Sequence, residues 1–211
     1  GNSIDALGAW SGAAGPALGG GINLEGVANA TVTGNNIHCR GTTPNGIELR
    51  RGQHLTVTGN TVLASIQNGI LASASLVGGA GAAQMEHFTI TGNTVDGWLD
   101  ENSAPTTNGI LVGLATVNGA PQNGVIDGNN VQKCGAGIVL QGYSVDIPVR
   151  SMLVTNNIVA ECALDQDTYA RLSWANSGSK SIGFQYGKDI TVQGNTISMT
   201  GTVINPGTNT P

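Results

Sequence analysis

Apolar and polar residues alternate one by one through short stretches of this chain, and these stretches recur. One kind contains a Gly-Asn pair or a near relative of it and is written, between residues 30 and 197, ATVTGNNI, LTVTGNTV, FTITGNTV, GVIDGNNV, MLVTNNIV and ITVQGNTI. A second kind precedes each of them: GINLEG, NGIELR, NGILAS, NGILVG, AGIVLQG and SIGFQYG. Alternation with a period of two predicts strands that bury one face and expose the other.

The recurrence of the two phrases predicts one structural unit stacked on copies of itself. Gly at the corner permits a sharp bend, and Asn tolerates left-handed backbone and bonds local amides. Stacked from coil to coil, these Asn side chains are expected to form a hydrogen-bonded ladder. Short strands, Gly-Asn corners and no helical periodicity together predict a parallel β-helix.

The alternation also assigns side chains to the inside and the outside of the coil. The residues expected inside are Ala30, Val32, Leu55, Val57, Phe88, Ile90, Ile126, Met152, Val154, Ile190 and Val192, with their counterparts in the second phrase. Leu71, Leu111 and Val139 fall on the outward side in three successive coils. Exposed aliphatic residues stacked in this way indicate a covered surface, under the chain's own loops or under a partner.

The pattern NGIxL…xTVTGNxV, over about residues 21–197, resembles the repeat of the pectin-lyase-like superfamily. That superfamily includes polysaccharide lyases and hydrolases, alginate epimerases and bacteriophage tailspikes. The resemblance implies an all-β fold, a single-stranded right-handed parallel β-helix of about six coils with loop insertions. We expect a capping segment at 1–20, the β-helix at 21–200 and a tail at 201–211.

Composition narrows the classes of function. Only 10% of residues are charged, the formal net charge is −5 and the pI is about 4.9, so a phosphate-binding basic track is not expected. No apolar run reaches the roughly 18 residues of a membrane span. The Asn-Thr-Asp, Asp-Asp and Gly-His-Gly signatures of polygalacturonase-like enzymes do not occur, and the three Cys residues form no disulfide framework.

The connections between repeats are uneven, and insertions on a solenoid carry its function. The third and fifth connections, 96–108 and 159–180, are long and flank a short fourth connection at 132–136. This arrangement predicts a notch whose floor holds Gln132, Lys133 and Cys134. Its two walls contain six of the 13 acidic residues and three of the eight Trp, Tyr and Phe residues of the chain.

The notch is the candidate carbohydrate site. Aromatic rings stack on sugar faces, and glycoside hydrolysis needs two carboxyl groups. We expect Asp100 or Glu101 as acid and Asp165 or Asp167 as base or nucleophile. The carbohydrate-binding candidates are Trp98, Tyr169, Trp174, Lys133, Arg171 and Asp96. The alternative is that the aromatic residues only pin their loops to the helix flank while the acids are solvated.

The leading hypothesis is therefore a phage tailspike-like receptor-binding module that binds, and in one version depolymerises, bacterial surface polysaccharide. It implies a homotrimer, a virion or extracellular location, no nucleic-acid partner, no membrane insertion and no cofactor. The alternatives are a secreted polysaccharide lyase or epimerase, which would use calcium with Lys133 or Arg171 as base, and a passive fibre spacer.

Four smaller features complete the candidates. His54 and His87 occupy equivalent positions and are expected to stack rather than to bind a metal. Asp127 replaces Thr in an outward row and is either a groove acid or a tolerated substitution. Cys134 and Cys162 are expected to lie in adjacent coils, as buried thiols or as a disulfide. Arg50 and Arg51, beside Glu48, are expected to form a surface ion pair.

Overall fold

The computed structural model describes residues 2–8, 20–41, 45–63, 67–74, 85–97, 108–113, 119–162 and 181–198. These residues form three parallel sheets, here called A, B and C. Sheet A contains β1 (Ser3–Gly8), β4 (Asn36–Gly41), β7 (Thr61–Leu63), β10 (Thr94–Asp96), β13 (Asn130–Gln132), β16 (Ile158–Ala160) and β19 (Thr196–Ser198). Sheet B contains β2 (Gly20–Glu25), β5 (Asn45–Arg50), β8 (Asn68–Ser73), β11 (Asn108–Gly113), β14 (Ala136–Gln141) and β17 (Ile182–Gln185). Sheet C contains β3 (Thr31–Thr33), β6 (Gln53–Thr58), β9 (Glu86–Thr91), β12 (Gln122–Asp127), β15 (Val149–Thr155) and β18 (Gly187–Gln193).

The chain visits sheets A, B and C in turn and then returns to A. Neighbouring strands in each sheet are therefore three elements apart in the sequence, and every pairing is parallel. This is a parallel β-helix of about six coils with three strands in each coil. The predicted fold class is confirmed.

The stack begins earlier than the sequence pattern suggested. β1 lies inside the segment expected to be a cap, and it pairs with β4 in register from Ser3 opposite Asn36. The physical reason is visible in the opening residues Gly1-Asn2-Ser3-Ile4. They repeat the Gly-Asn corner, or its Asn-Asn relative, that precedes each of the six later strands of sheet A. Six sheet A strands therefore follow a corner of this type, and β1 is the seventh.

The core is a column of aliphatic side chains inside the coils. The inward positions predicted in the middle coils are buried, among them Leu55, Ile90, Ile126 and Val154. Gly124 takes an inward position without a side chain, and Phe88 and Met152 in the coils on either side occupy the space that its Cβ would enter. Because interiors are close-packed, the large neighbours compensate for the missing side chain.

The predicted Asn ladder is confirmed along the whole stack. In this corner ladder, the backbone N–H and the Nδ2 of each Asn donate to the Oδ1 of the Asn one coil further on, as from Asn60 to Asn93 at 3.0 and 2.9 Å. The ladder comprises Asn2, Asn35, Asn60, Asn93, Asn129, Asn157 and Asn195. Most of the Nδ2 groups also donate to backbone carbonyls, as Asn93 does to Val57.

A second Asn ladder, which the repeat pattern did not predict, runs through the first residue of three sheet B strands. Asn68 Nδ2 donates to Asn45 Oδ1 at 2.7 Å, and Asn108 Nδ2 donates to Asn68 Oδ1 at 2.9 Å. In the next coil the register position of Asn108 is taken by Ala136. This sheet B ladder therefore stops, and the buried Oδ1 of Asn108 has no hydrogen-bond partner.

Each coil also turns into sheet C through a residue with left-handed backbone. These residues have φ between 50° and 56° and occupy one equivalent position per coil: Asn29, His54, His87, Asn123, Ser151 and Asp189. None of them is Gly, so each corner carries some backbone strain. The strain is held by hydrogen bonds at the corner, such as the N–H of Asn29 to the carbonyl of Gln53 at 3.0 Å.

The outward aliphatic residues of sheet B are covered within the single chain. Leu71, Leu111 and Val139 are 1%, 6% and 5% exposed and form, with Ala136, a cluster of their own. The prediction of a covered surface is confirmed, and no partner is needed to bury it. In the part of the chain that the structure describes, no helix is long and apolar enough to cross a membrane.

Candidate functional site

The described part of the predicted notch is a polar cluster on the outer face of sheet A. Asp96, Gln132 and Lys133, here called the sheet A cluster, come from the ends of β10 and β13, which are adjacent in the sheet. Gln132 Nε2 donates to Asp96 Oδ2 at 2.8 Å. Lys133 Nζ lies 3.8 Å from the same oxygen, with the two side chains 39% and 21% exposed. The structure therefore brings together two of the predicted binding residues, Asp96 and Lys133.

Backbone geometry fixes the positions of these side chains. Lys133 has left-handed backbone with φ of 54°, and its N–H donates to the carbonyl of Ala160 in the next coil at 3.1 Å. The N–H of Gly97 donates to the carbonyl of Gln132 at 3.0 Å. The corner that presents Lys133 to solvent is thus tied to the coils on both sides.

The third residue predicted for the notch floor is not on the surface. Cys134 is fully buried, and its thiol donates to the carbonyl of Gln132 at 3.2 Å. The other predicted site residues lie outside the described residues: Trp98, Asp100, Glu101, Asp165, Asp167, Tyr169, Arg171 and Trp174. Their roles stay predictions.

Asp127 forms a second polar group on the outer face of sheet C. Its Oδ1 accepts hydrogen bonds from Thr155 Oγ1 at 2.7 Å and from Asn156 Nδ2 at 2.8 Å. These two hydrogen bonds, that of Thr155 first, lower the pKa of the Asp127 carboxyl below its ordinary value. These contacts hold the charged Asp127 carboxylate beside a corner of the coil. Both hydrogen bonds come from residues of the next coil.

The histidine pair stacks as the sequence predicts. The rings of His54 and His87 are 5.1 Å apart between centroids and 8° from parallel. Their nitrogen lone pairs lie in the ring planes, so parallel rings do not aim them at a common ion. One residue before His87 in the same sheet, Glu86 Oε1 accepts a hydrogen bond from Gln122 Nε2. These contacts support the interpretation of a surface ladder.

The three cysteines are free and buried. Burial raises the pKa of the Cys39 thiol to about 12. Cys134 and Cys162 interact with one another: the neighbouring Cys162 thiol, followed by burial, raises the pKa of Cys134 well above its ordinary value. Of the two arrangements expected from the sequence, the structure has the buried thiols.

Glu48 and Arg50 form the expected ion pair, but the prediction that it lies on the surface is wrong. The Nε of Arg50 donates to Glu48 Oε1, but the Glu48 side chain is fully buried and the Arg50 side chain is 11% exposed. Glu48 shares a register position with Leu71, so both side chains lie on the covered outer face of sheet B. That shared position was the signal in the sequence that could have identified its burial.

The fold and the cluster define a class of protein: a parallel β-helix with an apolar core and buried Asn ladders, whose described charged side chains lie on outer sheet faces. Residues 19–176 match the model of the family described as periplasmic copper-binding protein (NosD). The chain belongs to this family. No curated protein and no solved structure matches the chain.

Proposed function

We propose that this protein is an exported β-helix module that binds a polysaccharide at the sheet A cluster. The single observation that carries the proposal is the joining of Asp96, Gln132 and Lys133 across adjacent coils at the predicted notch. A carboxylate, a carboxamide and an ammonium group offer acceptors and donors within one small area. Sugar hydroxyls need both.

The neighbouring residues of the same face support this assignment. Thr94 and Asn130 lie side by side on β10 and β13, two residues before Asp96 and Gln132, and both side chains are half-buried. With strands roughly 4.8 Å apart, the face repeats hydroxyl and amide groups along the helix axis. In the sequence, the predicted sugar platforms Trp98, Tyr169 and Trp174 belong to the long connections that follow β10 and β16.

The family description mentions copper, and the described residues do not fit a copper site. Among them, no group of three or more His, Cys, Asp or Glu side chains is arranged to hold a metal ion. The stacked His54 and His87 rings are parallel, and the Cys134 and Cys162 thiols are buried and hydrogen-bonded to backbone carbonyls. Copper(I) favours thiolate, thioether or imidazole ligands and copper(II) favours nitrogen and oxygen ligands, and in each case the ligands converge on one point.

The proposal also concerns the location of the protein and the kind of β-helix protein to which the module belongs. The family is described as periplasmic, which supports a location outside the cytoplasm. A phage tailspike module, a secreted lyase or epimerase and a passive spacer would all use this scaffold. The homotrimer expected for a tailspike loses one of its supports, because the outward Leu71, Leu111 and Val139 are buried without a partner.

A glycan array with the full chain tests the binding, and site variants test its location. Lys133→Asn removes the charge while keeping a residue that tolerates left-handed backbone, and Asp96→Asn removes the opposite charge. We expect each to weaken binding to the glycan identified by the array by about tenfold, equivalent to 1.4 kcal/mol. Asp127→Asn on sheet C is the matched control and should leave binding unchanged.

Equal binding by all three variants would place the site elsewhere on the protein. Failure of the full chain to bind any glycan would remove the function itself. Turnover is a separate question: product analysis on a bound glycan, with Asp100, Glu101, Asp165 and Asp167 together changed to Ala, tests the predicted carboxylates. Turnover that persists in this variant would exclude them, and a calcium-dependent unsaturated product would favour the lyase.

A further inference from the structure

Cys134 and Cys162 occupy equivalent positions in adjacent coils. β13 and β16 pair in parallel, in register, up to two residues before the cysteines. The residues that come directly before them, Lys133 and Glu161, both have left-handed backbone, with φ of 54° and 52°. Both strands therefore turn in the same way and carry their cysteines into the core, where both side chains are buried.

The two thiols lie beside one another. The Cys162 thiol donates to two carbonyls, that of Ala160 in its own coil at 3.4 Å and that of Val131 in the preceding coil at 3.8 Å. Its sulfur therefore reaches the coil that contains Cys134. The two groups also act on each other electrically, because the neighbouring Cys134 group lowers the pKa of Cys162 and the Cys162 thiol raises the pKa of Cys134.

The spacing of the coils suits a covalent bond between these two sulfur atoms. Residues at equivalent positions on adjacent parallel strands have Cα atoms about 4.8 Å apart, and disulfides join Cα atoms roughly 4.4–6.8 Å apart. The third cysteine, Cys39, lies on β4, three strands from β13 in sheet A, which is about 14 Å by the same spacing. A disulfide cannot span that separation, so Cys134 and Cys162 are the pair that the fold permits.

We propose that Cys134 and Cys162 form a modification site at which oxidation joins the two coils by a disulfide. One protein thiolate attacks the disulfide of an external oxidant, such as oxidised glutathione or the reactive disulfide of a thiol oxidase, and releases one thiol. The second protein thiolate then attacks the mixed disulfide and releases the other thiol. One S–S bond forms in the protein, and its two electrons and two protons pass to the oxidant, which leaves as two thiols.

The setting of this reaction rests on the exported location proposed above. Disulfides persist in the periplasm and outside cells, and they are rare in the cytosol. Because both thiols are buried in the folded protein, the oxidant reaches them while the chain folds. The bond is therefore expected in the exported protein and absent from a copy that folds in a reducing solution.

The bond stabilises the backbone that carries the sheet A cluster. Residues 134–162 contain β14, β15 and β16, which make one complete coil, so the disulfide closes that coil into a covalent ring and restricts the unfolded chain. Lys133 lies directly before one of the two sulfur-bearing residues. The corner that presents Lys133 to solvent is then held by a covalent bond as well as by its hydrogen bond to the carbonyl of Ala160.

Mass analysis of the full chain tests the pairing. The chain is refolded in a mixture of reduced and oxidised glutathione and then unfolded in the presence of N-ethylmaleimide, which labels every remaining thiol. We expect one label per chain, on Cys39, and a mass before labelling that is lower by two hydrogen atoms than that of the reduced chain. Trypsin separates the other two cysteines into peptides 134–150 and 151–171, which should be recovered as one disulfide-linked species.

Single variants locate the bond and its effect on stability. Cys39→Ala is the matched control, since it removes a buried thiol outside the pair, and it should give the linked peptides with no label. Cys134→Ala should give two labelled thiols and no link. In chemical denaturation, oxidation should move the unfolding midpoint of the unmodified chain and of Cys39→Ala to higher denaturant concentration, and it should leave that of Cys134→Ala in place.

Three labels on the refolded unmodified chain, a glutathione adduct in place of the linked peptides, or a link that includes Cys39 would each overturn the proposal. A gain in stability that persists in Cys134→Ala would overturn the assigned effect of the bond. No glycan enters these measurements. An unlinked chain that binds a glycan would contradict this inference alone, and a linked chain that binds none would contradict the proposed function alone.

Discussion

The two Asn ladders use the same side chain in different ways. In the corner ladder, each inner Asn is bound through its backbone N–H, its carboxamide oxygen and its carboxamide nitrogen, and it also bonds carbonyls of the backbone. In the sheet B ladder, a single Nδ2 to Oδ1 bond joins each step. The corner ladder runs from Asn2 to Asn195, whereas the sheet B ladder ends at Asn108.

The difference shows what makes a repeated residue indispensable. A buried carboxamide stabilises a fold when all of its polar atoms are paired, and it becomes a liability when one of them is not. In the corner ladder the backbone supplies the additional partners, so every inner coil repeats the same set of bonds. In the sheet B ladder the partners are only other Asn side chains, so one Ala at position 136 leaves an oxygen unpaired.

The largest effect is expected for Asn93→Ala in the middle of the corner ladder. The variant leaves the N–H and Nδ2 of Asn60 without their acceptor and removes the donor to Asn129 and Val57. We expect the free energy of unfolding to fall by about 3 kcal/mol. Chemical denaturation measures it, with Asn195→Ala at the end of the ladder as the milder control. Equal losses in the two variants would contradict the view that inner members matter more.

A smaller loss is expected for Asn68→Ala in the sheet B ladder. This variant removes two side-chain hydrogen bonds, one to Asn45 and one from Asn108. It removes none of the hydrogen bonds to backbone groups that the Asn residues of the corner ladder make. The expected decrease in the free energy of unfolding is about 1–2 kcal/mol, measured under the same conditions as for Asn93→Ala. A loss as large as that of Asn93→Ala would show that the backbone ties do not separate the two ladders.

A still smaller effect is expected for Asn108→Ala. The variant loses one hydrogen bond to Asn68 but also removes the buried oxygen that has no partner. Because these two contributions oppose each other, the free energy of unfolding should change by less than about 1 kcal/mol. Denaturation of Asn108→Ala beside Asn68→Ala measures the difference directly. A drop beyond that of Asn68→Ala would mean that the Oδ1 of Asn108 is satisfied in solution.

The smallest expected effect is on the pH dependence of stability, and it comes from Asp127, which lies beside the corner ladder. The hydrogen bonds from Thr155 and Asn156 lower the pKa of Asp127 in the folded protein, so its contribution to stability is present above the unfolded-state pKa of about 4. That contribution disappears as the pH falls through the lowered folded pKa. Thermal unfolding between pH 5 and pH 2 should show a weaker acid dependence in Asp127→Asn, and unchanged acid dependence would exclude the linkage.

Much of the fold could be predicted because each coil repeats one pattern. The inward column, the corner ladder and the stacked His54 and His87 followed from spacing alone. The strand β1 was overlooked because only its corner, and not the surrounding phrase, repeats the pattern. The burial of Glu48 depends on what covers the outer face of sheet B, which the alternation of residues does not describe.

The candidate site was predictable to the extent that it depends on stacking. Asp96 and Lys133 were expected together because their connections belong to adjacent coils, and the structure joins them through one carboxylate oxygen. Cys134 is the expected buried thiol and not part of the notch floor, since the residue follows a corner with left-handed backbone at Lys133 that reverses the alternation. The roles of the acidic and aromatic residues in the long connections stay predictions.

The column of left-handed corner residues has a consequence for how such a protein changes size. Each corner carries its own strain, and its backbone hydrogen bonds reach the coils directly beside it, so no corner relies on a distant one. A duplicated or deleted segment of one whole turn would therefore preserve every neighbouring register. Overall length becomes a quantity that recombination can adjust in increments of about 4.8 Å, while the chemistry displayed on the flanks evolves separately.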